Sequence, residues 1–279
     1  MGYKRNFMKK ITFIFLNKIF GKKKYQRFFL ILKNIALQGL NYRETDLSIN
    51  GEHYFIKKVA DFYKKNPKTT IIFDVGANVG NYSIALKKAF TNNYHIYAFE
   101  PFSSPFKVLS QLTDKNLSTI KMGLSNKVEK LNVFSSDDNS EVGGVYNRDY
   151  VLGEILHDKV EENNFTTIDL FCKDNKIDYI NFLKIDVEGH ELAVLEGTYS
   201  LFNSGNVDII QFEFGAGNQY AKTYLIDFFN LLSKKYKIYK LLRDGLDEIK
   251  SYSPDYEILL LTNFICVKNE IVSSFVNEK

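Results

Sequence analysis

Short apolar runs alternate with amphipathic stretches between residues 70 and 214 of the chain. The apolar runs are rich in β-branched and aromatic residues and predict strands at 70–75, 94–99, 118–122, 181–185 and 207–214. Helical periodicity predicts helices at 82–90, 104–112 and 191–201. Such alternation is typical of an α/β fold, a doubly wound and mostly parallel sheet whose ligand site lies at the carboxyl ends of the strands.

The segments around this region extend the pattern. Residues 52–67 predict an amphipathic helix that ends near Pro67. Residues 128–147 and 161–171 break the alternation, and we interpret them as an insertion or hairpin near the site. A predicted helix at 221–235 is followed by apolar runs at 236–245 and 256–269, which predict an antiparallel hairpin that finishes the sheet.

The positive charge of the chain is concentrated at its N-terminal end. The net charge is +4 at pH 7, but residues 1–43 contain eleven Lys or Arg and no Asp or Glu, so the remainder carries about −7. We therefore predict a basic N-terminal helical extension over residues 1–43 and a globular domain over residues 44–279. The extension either rests on an anionic membrane or an acidic partner, or caps the domain with a solvated basic face, and we favour the cap.

The lack of a recognisable targeting signal and the cysteine usage both predict a cytoplasmic protein. No uncharged apolar stretch reaches the roughly 18 residues that a membrane span requires, so we predict no transmembrane helix. Lys18 and Lys22 interrupt the apolar part of the N-terminal segment, which argues against a signal peptide. Cys172 and Cys266 lie far apart in apolar segments and predict reduced thiols in the core. Peripheral contact with the inner face of the membrane is the alternative location.

A glycine-containing turn, with the sequence DVGANVG, follows the first predicted strand. At Gly76 and Gly80 a ligand can approach the backbone N–H groups closely, because no Cβ is in the way. Their spacing matches neither the dinucleotide fingerprint G-x-G-x-x-G nor the phosphate loop G-x-x-x-x-G-K-[ST]. Asp74 precedes the turn and would repel a pyrophosphate but attract an ammonium group, so the predicted ligand carries a cation.

The second predicted strand ends at Glu100, where an acidic residue commonly accepts hydrogen bonds from ribose hydroxyls. S-adenosylmethionine carries both an adenosyl ribose and an ammonium group, and is therefore the predicted cofactor. Its amino group would lie near Asp74 and its ribose near Glu100. Its carboxylate would accept backbone N–H groups from the turn formed by Gly76, Ala77, Asn78 and Gly80.

The third predicted strand leads into the sequence KMGLSN, where the adenine edge would fall. Ser125 or Asn126 would hydrogen-bond the base there, although a plain β-turn explains the same residues. For Asp74 and Glu100, the alternative is that acids at strand ends cap turns or neighbouring helices.

A second polar cluster follows the fourth predicted strand, in the sequence NFLKIDVEGHELAVLEG. It contains Asp186, Glu188, His190 and Glu191, more polar groups than helix capping requires. Glu191 fits the first turn of a helix, where an acid complements the helix dipole. The same dipole disfavours the imidazolium form of His190 and leaves a neutral ring that accepts a proton, unless His190 is a capping or surface histidine.

Four stretches follow one another along the chain: FDVGANVGNYS, YAFEP, TTIDLF and LKIDVEGHELAVLEG. In this order and spacing they closely resemble the FkbM family of S-adenosylmethionine-dependent methyltransferases. The resemblance covers residues 71–214 and leaves the basic N-terminal segment outside. It implies a Rossmann-like class I methyltransferase fold, with a seven-stranded sheet whose last strand is antiparallel. It also implies O-methylation of a hydroxyl group, and the expected acceptor is a saccharide or surface glycan.

Transfer of a methyl group to an aliphatic hydroxyl needs a base or a metal, because the hydroxyl is a poor nucleophile until it loses its proton. We predict that Glu188 or His190 deprotonates the acceptor, and that Asp186 positions the base or contacts the sulfonium side of the cofactor. Alternatively, Asp186, Glu188 and Glu213 hold Mg²⁺, a hard cation that takes oxygen ligands. We favour the metal-free reaction, because no compact ligand set is evident in the sequence.

Three other functions compete with methyl transfer. A nicotinamide enzyme of the same fold is disfavoured by Asp74 and by the missing third glycine. A non-catalytic adapter would bind membranes or partner proteins through the basic segment, but the intact acids after the fourth strand argue against loss of activity. Nucleic-acid methylation has no support, because the core is acidic and the sequence shows neither a base-flipping motif nor a nucleic-acid-binding module. The loop at 135–144 is expected to contact the acceptor, although its residues identify no particular ligand.

Overall fold

The computed structural model describes residues 17–91, 93–135, 143–148 and 159–277. The chain divides into two compact units, Met1–Arg43 and Glu44–Lys279. The described part of the first unit contains the helix α1 (Gln26–Gly39), which follows a 3-10 turn at Lys23–Tyr25. Among the described residues, no helix is both long and apolar enough to cross a membrane.

The second unit is built on a large sheet and a small sheet. Its strands are β1 (Thr70–Val75), β2 (Tyr94–Phe99), β3 (Leu117–Ile120), β4 (Gly123–Leu124), β5 (Glu129–Ser135), β6 (Lys159–Thr166), β7 (Ile180–Ile185), β8 (Val207–Phe214), β9 (Tyr236–Leu242), β10 (Gly245–Ile249) and β11 (Thr262–Lys268). Its helices are α2 (Glu52–Tyr63), α3 (Asn81–Ala89), α4 (Ser103–Leu109), α5 (Ile168–Asn175), α6 (Glu191–Glu196), α7 (Tyr199–Asn203), α8 (Gly217–Ala221), α9 (Leu225–Leu232) and α10 (Val272–Asn277).

The large sheet has the strand order β10-β9-β11-β8-β7-β1-β2-β3. The neighbours from β3 to β8 are parallel, whereas β11 is antiparallel to both β8 and β9. The small sheet consists of β4, β6 and β5, and its β5–β6 pair is the hairpin-like element predicted in the middle of the chain. The α/β, Rossmann-like fold class predicted from the sequence is confirmed.

Successive residues of the central strands enter two apolar clusters, one on each face of the large sheet. Phe182 of β7 belongs to the cluster that includes α2, α3 and α10, and Leu183 belongs to the cluster that includes α5, α6 and α9. Ile209 and Ile210 of β8 divide in the same way. Because helices cover both faces, every residue of β7 is buried, and a buried parallel strand has a continuous apolar run in its sequence.

The large sheet has eight strands, one more than the seven that the resemblance implied, and the additional strand lies in its C-terminal part. Residues 245–249, at and beyond the end of the first apolar run of the predicted hairpin, form the edge strand β10, which pairs antiparallel with β9. An edge strand has a neighbour on one side only and is exposed to solvent, so its sequence GLDEI shows no apolar run. The final strand also begins later than predicted, at Thr262 instead of residue 256.

Two predicted helices are shorter or divided in the structure. The helix predicted at 191–201 is interrupted at Gly197, where a Cβ atom would overlap the carbonyl oxygen of Ser125. The helix predicted at 221–235 is α9, which covers only Leu225–Leu232. In the first case the glycine lets the loop after β4 approach the helix backbone, a contact that periodicity alone does not reveal.

Candidate active site

The carboxyl ends of β1, β2, β7 and β8 open into a cavity of about 530 Å³. Its walls include the turn after β1, Glu100 after β2, the acids that follow β7, and Glu213 of β8. Gly144 and Arg148, from the segment between β5 and β6, complete another wall. The size is typical of a small-molecule site, and the position is the one that doubly wound sheets use.

The turn between β1 and α3 depends on close backbone approach. Gly76 has φ 78°, and a Cβ atom there would overlap the carbonyl oxygen of Asp186. Gly80 has φ 94° and immediately precedes α3, which begins at Asn81. Only glycine adopts these angles without strain, so the two glycines set both the turn and its distance from β7. Val79 and Asn81 line the cavity at the N-terminal end of the helix.

The N–H groups of the turn are hydrogen-bonded to the end of β2. Gly76 and Ala77 donate to the carbonyl oxygen of Phe99, at 3.0 and 2.9 Å. Asn78 donates from its backbone N–H to the Glu100 carboxylate, at 2.9 Å. These donors are therefore engaged within the protein. A ligand carboxylate at this turn has the first N–H groups of α3 as its nearer source of donors.

Glu100 lies where the sequence predicted it, at the cavity wall beside the glycine turn. Besides the bond from Asn78, its other oxygen accepts the backbone N–H of Phe102 at 2.8 Å. Burial raises the pKa of Glu100 to about 7, although both backbone bonds favour the ionised form. Each carboxylate oxygen has two lone pairs, so Glu100 keeps acceptor capacity for hydroxyl groups of a ligand.

Asp74 is fully buried, and its neighbours belong to the protein. One carboxylate oxygen accepts the hydroxyl of Ser83 at 2.7 Å, and the other lies 3.4 Å from the ammonium of Lys184. Lys184 also lies 3.3 Å from the Asp186 carboxylate and 4.9 Å from the ring centre of Tyr82. Burial alone would lower the pKa of Lys184, but the carboxylates of Asp186 and Asp74 raise it well above its usual range. The ammonium group observed beside Asp74 is thus that of Lys184.

Three carboxylates from the ends of β7 and β8 meet in the cavity. Asp186, Glu188 and Glu213 each have a carboxylate oxygen within 4.8 Å of those of the other two. Such a compact set was not evident in the sequence, because Glu213 lies more than twenty residues away from the other two acids. The set is geometrically able to offer three oxygen ligands to one cation or to share a proton.

The charges of this cluster are only partly balanced by basic groups. Lys184 pairs with Asp186, and buried Arg148 donates to Glu188 at 2.8 Å. Burial raises the pKa of Glu188, although Arg148 stabilises its ionised form. Within the described residues, no basic side chain forms an ion pair with Glu213. Burial and the neighbouring carboxylates Asp186 and Glu188 raise the pKa of Glu213 well above its usual range, so this group carries a proton most readily.

His190 lines the cavity, but both of its ring nitrogens are engaged. Nδ1 lies 3.1 Å from the Tyr146 hydroxyl and Nε2 lies 3.0 Å from the Ser125 hydroxyl. Burial lowers the pKa of His190 to about 4, so the ring is neutral at pH 7. A ring with that pKa is a weak proton acceptor. Ser125, a predicted adenine contact, is fully buried and bonds to His190.

Glu191 holds the loop between β7 and α6 in shape. One of its oxygens accepts the backbone N–H groups of Val187 (3.1 Å) and Gly189 (2.9 Å). Its other oxygen accepts the side-chain amide of Asn218 at 3.3 Å. This loop places Glu188, whose φ is 58°, in a left-handed conformation that needs such support. Glu191 therefore acts on the backbone that presents Glu188 to the cavity.

A polar network that includes residues of the cavity wall was not predicted from the sequence. The Gln211 amide donates to Glu52 and to Asn263, and Gln211 accepts the Tyr82 hydroxyl at 2.7 Å. Glu52 also accepts the side-chain amide of Asn50 at 2.7 Å.

Lys184 was not predicted as a site residue from the sequence either. The available signal was a single lysine inside an apolar strand. A buried charge in a central strand is costly and needs partners, so it often marks a site.

The family model described as "Methyltransferase FkbM domain" matches residues 74–240. Hexuronic acid methyltransferase AglP of Haloferax volcanii is 29% identical to this chain over 153 residues, which cover 52% of this chain and 56% of that protein. The chain thus spans about half the length of this curated relative.

The solved structures that are similar to this chain include two methyltransferases. Methyltransferase FkbM from Methylobacillus flagellatus has 16% identity and a TM-score of 0.45, with 85% of this chain and 59% of that chain covered. The O-methyltransferase from Bacillus cereus in complex with SAH has 10% identity and a TM-score of 0.44, with 90% and 93% covered.

Proposed function

Because this chain belongs to the FkbM methyltransferase family, we propose that it transfers a methyl group to a hydroxyl group of a saccharide. The observation that carries the proposal is the meeting of Asp186, Glu188 and Glu213 in the same cavity as Glu100 and the glycine turn. A proton-accepting group beside a nucleotide-sized site is what O-methylation requires. The sugar class is supported by the relative that is named a hexuronic acid methyltransferase.

The cofactor is S-adenosylmethionine, which supplies an activated methyl group on a sulfonium. The residues of the cavity fit it. Val79 and Asn81 line the cavity at the N-terminal end of α3, and the first N–H groups of that helix are donors for the cofactor carboxylate. Glu100 retains acceptor capacity for two ribose hydroxyls. Asp74 acts through Lys184, which it holds beside Asp186 at the cavity wall.

The protein has to align the acceptor hydroxyl and take its proton. Glu188 and Glu213 are better suited to this than His190, because the pKa of each carboxyl is raised while that of His190 is lowered to about 4. His190 would also have to break a hydrogen bond to Tyr146 or Ser125 before it accepted a proton. We therefore assign proton transfer to the carboxylate cluster and a positioning role to His190.

A divalent cation is the second candidate mechanism, and the geometry of the acids favours it. Three carboxylates within 4.8 Å would give a hard cation such as Mg²⁺ three oxygen ligands, and the cation would stabilise the acceptor alkoxide. In the metal-free alternative, Lys184 and Arg148 neutralise two of the acids, and Glu213, whose pKa is raised well above its usual range, holds the proton that the acceptor loses. Removal of divalent cations distinguishes the two mechanisms.

The function is tested by methyl transfer from radiolabelled S-adenosylmethionine to a panel of neutral hexoses, hexuronic acids and oligosaccharides. We expect a labelled methyl ether with at least one saccharide, and S-adenosylhomocysteine binding by calorimetry without NAD binding. Binding of S-adenosylhomocysteine without transfer to any member of the panel would favour the adapter instead. Binding of NAD in place of S-adenosylhomocysteine would contradict the proposed cofactor.

The pKa of Glu100 makes cofactor affinity depend on pH. Ionised Glu100 accepts two ribose hydroxyls, and its pKa of about 7 means that protonation removes this form as the pH falls from 8 to 6. We expect S-adenosylhomocysteine affinity to fall by up to about tenfold per pH unit below 7, and the variant Glu100→Gln to lose this dependence. The ligand's own amino and carboxyl groups titrate identically in both experiments, so the difference between the two calorimetric pH profiles is the readout. Identical profiles would rule out Glu100 as the ribose acceptor.

A further inference from the structure

Four apolar side chains form an exposed stripe along α1 of the first unit. The stripe consists of Phe28, Ile31, Leu32 and Ile35. Their spacing of i, i+3, i+4 and i+7 places them on one face of the helix. Their exposed fractions are 52%, 54%, 43% and 60%. A contiguous apolar face that stays in contact with water is unfavourable and usually marks a binding surface.

The charged groups around this stripe are all basic. Lys22, Lys23 and Lys24 precede α1 and are exposed, and Arg27 and Lys33 are exposed on the helix itself. Residues 1–43 contain no Asp or Glu. A surface of this kind attracts negative charge and offers no acid that an anionic surface would repel.

We propose that α1 binds the surface of an anionic lipid bilayer. The helix would lie in the plane of the interface, with the stripe from Phe28 to Ile35 at the boundary between headgroups and acyl chains. The lysines would remain among the headgroup phosphates, where each contributes to binding. A lipid surface fits better than an acidic protein, because the helix combines a wide apolar face with flanking charges of one sign.

Vesicle sedimentation of the full chain tests the proposal. We expect binding to vesicles of phosphatidylcholine and phosphatidylglycerol at a 3:1 ratio, much weaker binding to pure phosphatidylcholine, and partial release by salt. The triple variant K22Q/K23Q/K24Q should bind on the order of a hundredfold more weakly. The double variant F28S/I35S should lose the binding that persists at high salt. Tyr199, a 64% exposed residue of α7, provides the control Y199S, which should bind like the parent.

A fluorescence experiment does not depend on the stability of the serine variants. The chain has no tryptophan, so F28W introduces a single reporter in the stripe. Its emission should shift to the blue with anionic vesicles and be quenched by brominated lipids, whereas the emission of Y199W should not change.

Two results would overturn the proposal. One is equal binding of the parent and F28S/I35S to anionic vesicles, or no binding of the parent at all. The other is a dimer in light scattering that F28S/I35S abolishes without vesicles, which would assign the stripe to a second copy of this chain.

Discussion

Replacing Gly76 with alanine is expected to abolish cofactor binding and to destabilise the domain. The new Cβ would overlap the carbonyl oxygen of Asp186, and φ at this position is 78°, which is strained for any residue with a Cβ. The ends of β1 and β7 would have to separate, and a displacement of about 1 Å at such a site costs on the order of 100-fold in function. Strain and overpacking together should lower the free energy of unfolding by at least about 2 kcal/mol.

Calorimetry with S-adenosylhomocysteine and urea unfolding measure these two effects. Gly245→Ala is the matched control, because a Cβ there meets no atom within 4 Å and its backbone is not left-handed. That variant should change the free energy of unfolding by no more than about 0.5 kcal/mol. If Gly76→Ala bound the cofactor as the parent does, the close approach of the turn to β7 would have no role in the site.

Neutralising the carboxylate cluster is expected to stop turnover while leaving cofactor affinity nearly intact. Glu188→Gln and Glu213→Gln each remove a group that accepts a proton or stabilises the acceptor, and loss of a general base costs on the order of 10²- to 10⁴-fold in kcat. His190→Gln should cost less than about tenfold, because the ring is already neutral and engaged by Tyr146 and Ser125. Affinity for S-adenosylhomocysteine should stay within about threefold of the parent value in all three variants.

Steady-state kinetics with and without EDTA separate the proton-transfer and metal mechanisms. The metal-free mechanism predicts that EDTA leaves the parent activity unchanged. Loss of activity in EDTA, with recovery on addition of Mg²⁺, would instead assign the cluster to a cation. Glu162→Gln is the control, since this exposed acid forms a surface ion pair with Lys130. Full activity in both Glu188→Gln and Glu213→Gln would exclude the cluster from the reaction.

The strands beside the site were the most predictable part of the fold. β1, β2 and β8 occur at the predicted bounds, because buried parallel strands require continuous apolar runs. The edge strand β10 escaped prediction, since a strand exposed to solvent needs no such run. The position of Glu100 beside the glycine turn also followed from the sequence, because adjacent parallel strands bring their carboxyl ends together.

The contacts of the polar side chains were less predictable. Asp74 was predicted to attract a ligand ammonium, and in the structure it holds Lys184. Ser125 was predicted to meet a base, and it bonds to His190. Both residues lie at the predicted ends of their strands, but a one-dimensional pattern does not say which neighbouring side chain fills the space in front of them.

The α/β architecture, the glycine turn and the identity of the acids at the strand ends could be predicted, because each depends on local periodicity or on residues close together in the chain. Which charges meet depends on the packing of distant elements. Three contacts join residues from separate elements: Lys184 pairs with Asp74, Arg148 pairs with Glu188, and Glu213 approaches Asp186. Electrostatic coupling depends on distance and burial, and the packing of β1, β7 and β8 with the segment around Arg148 sets both.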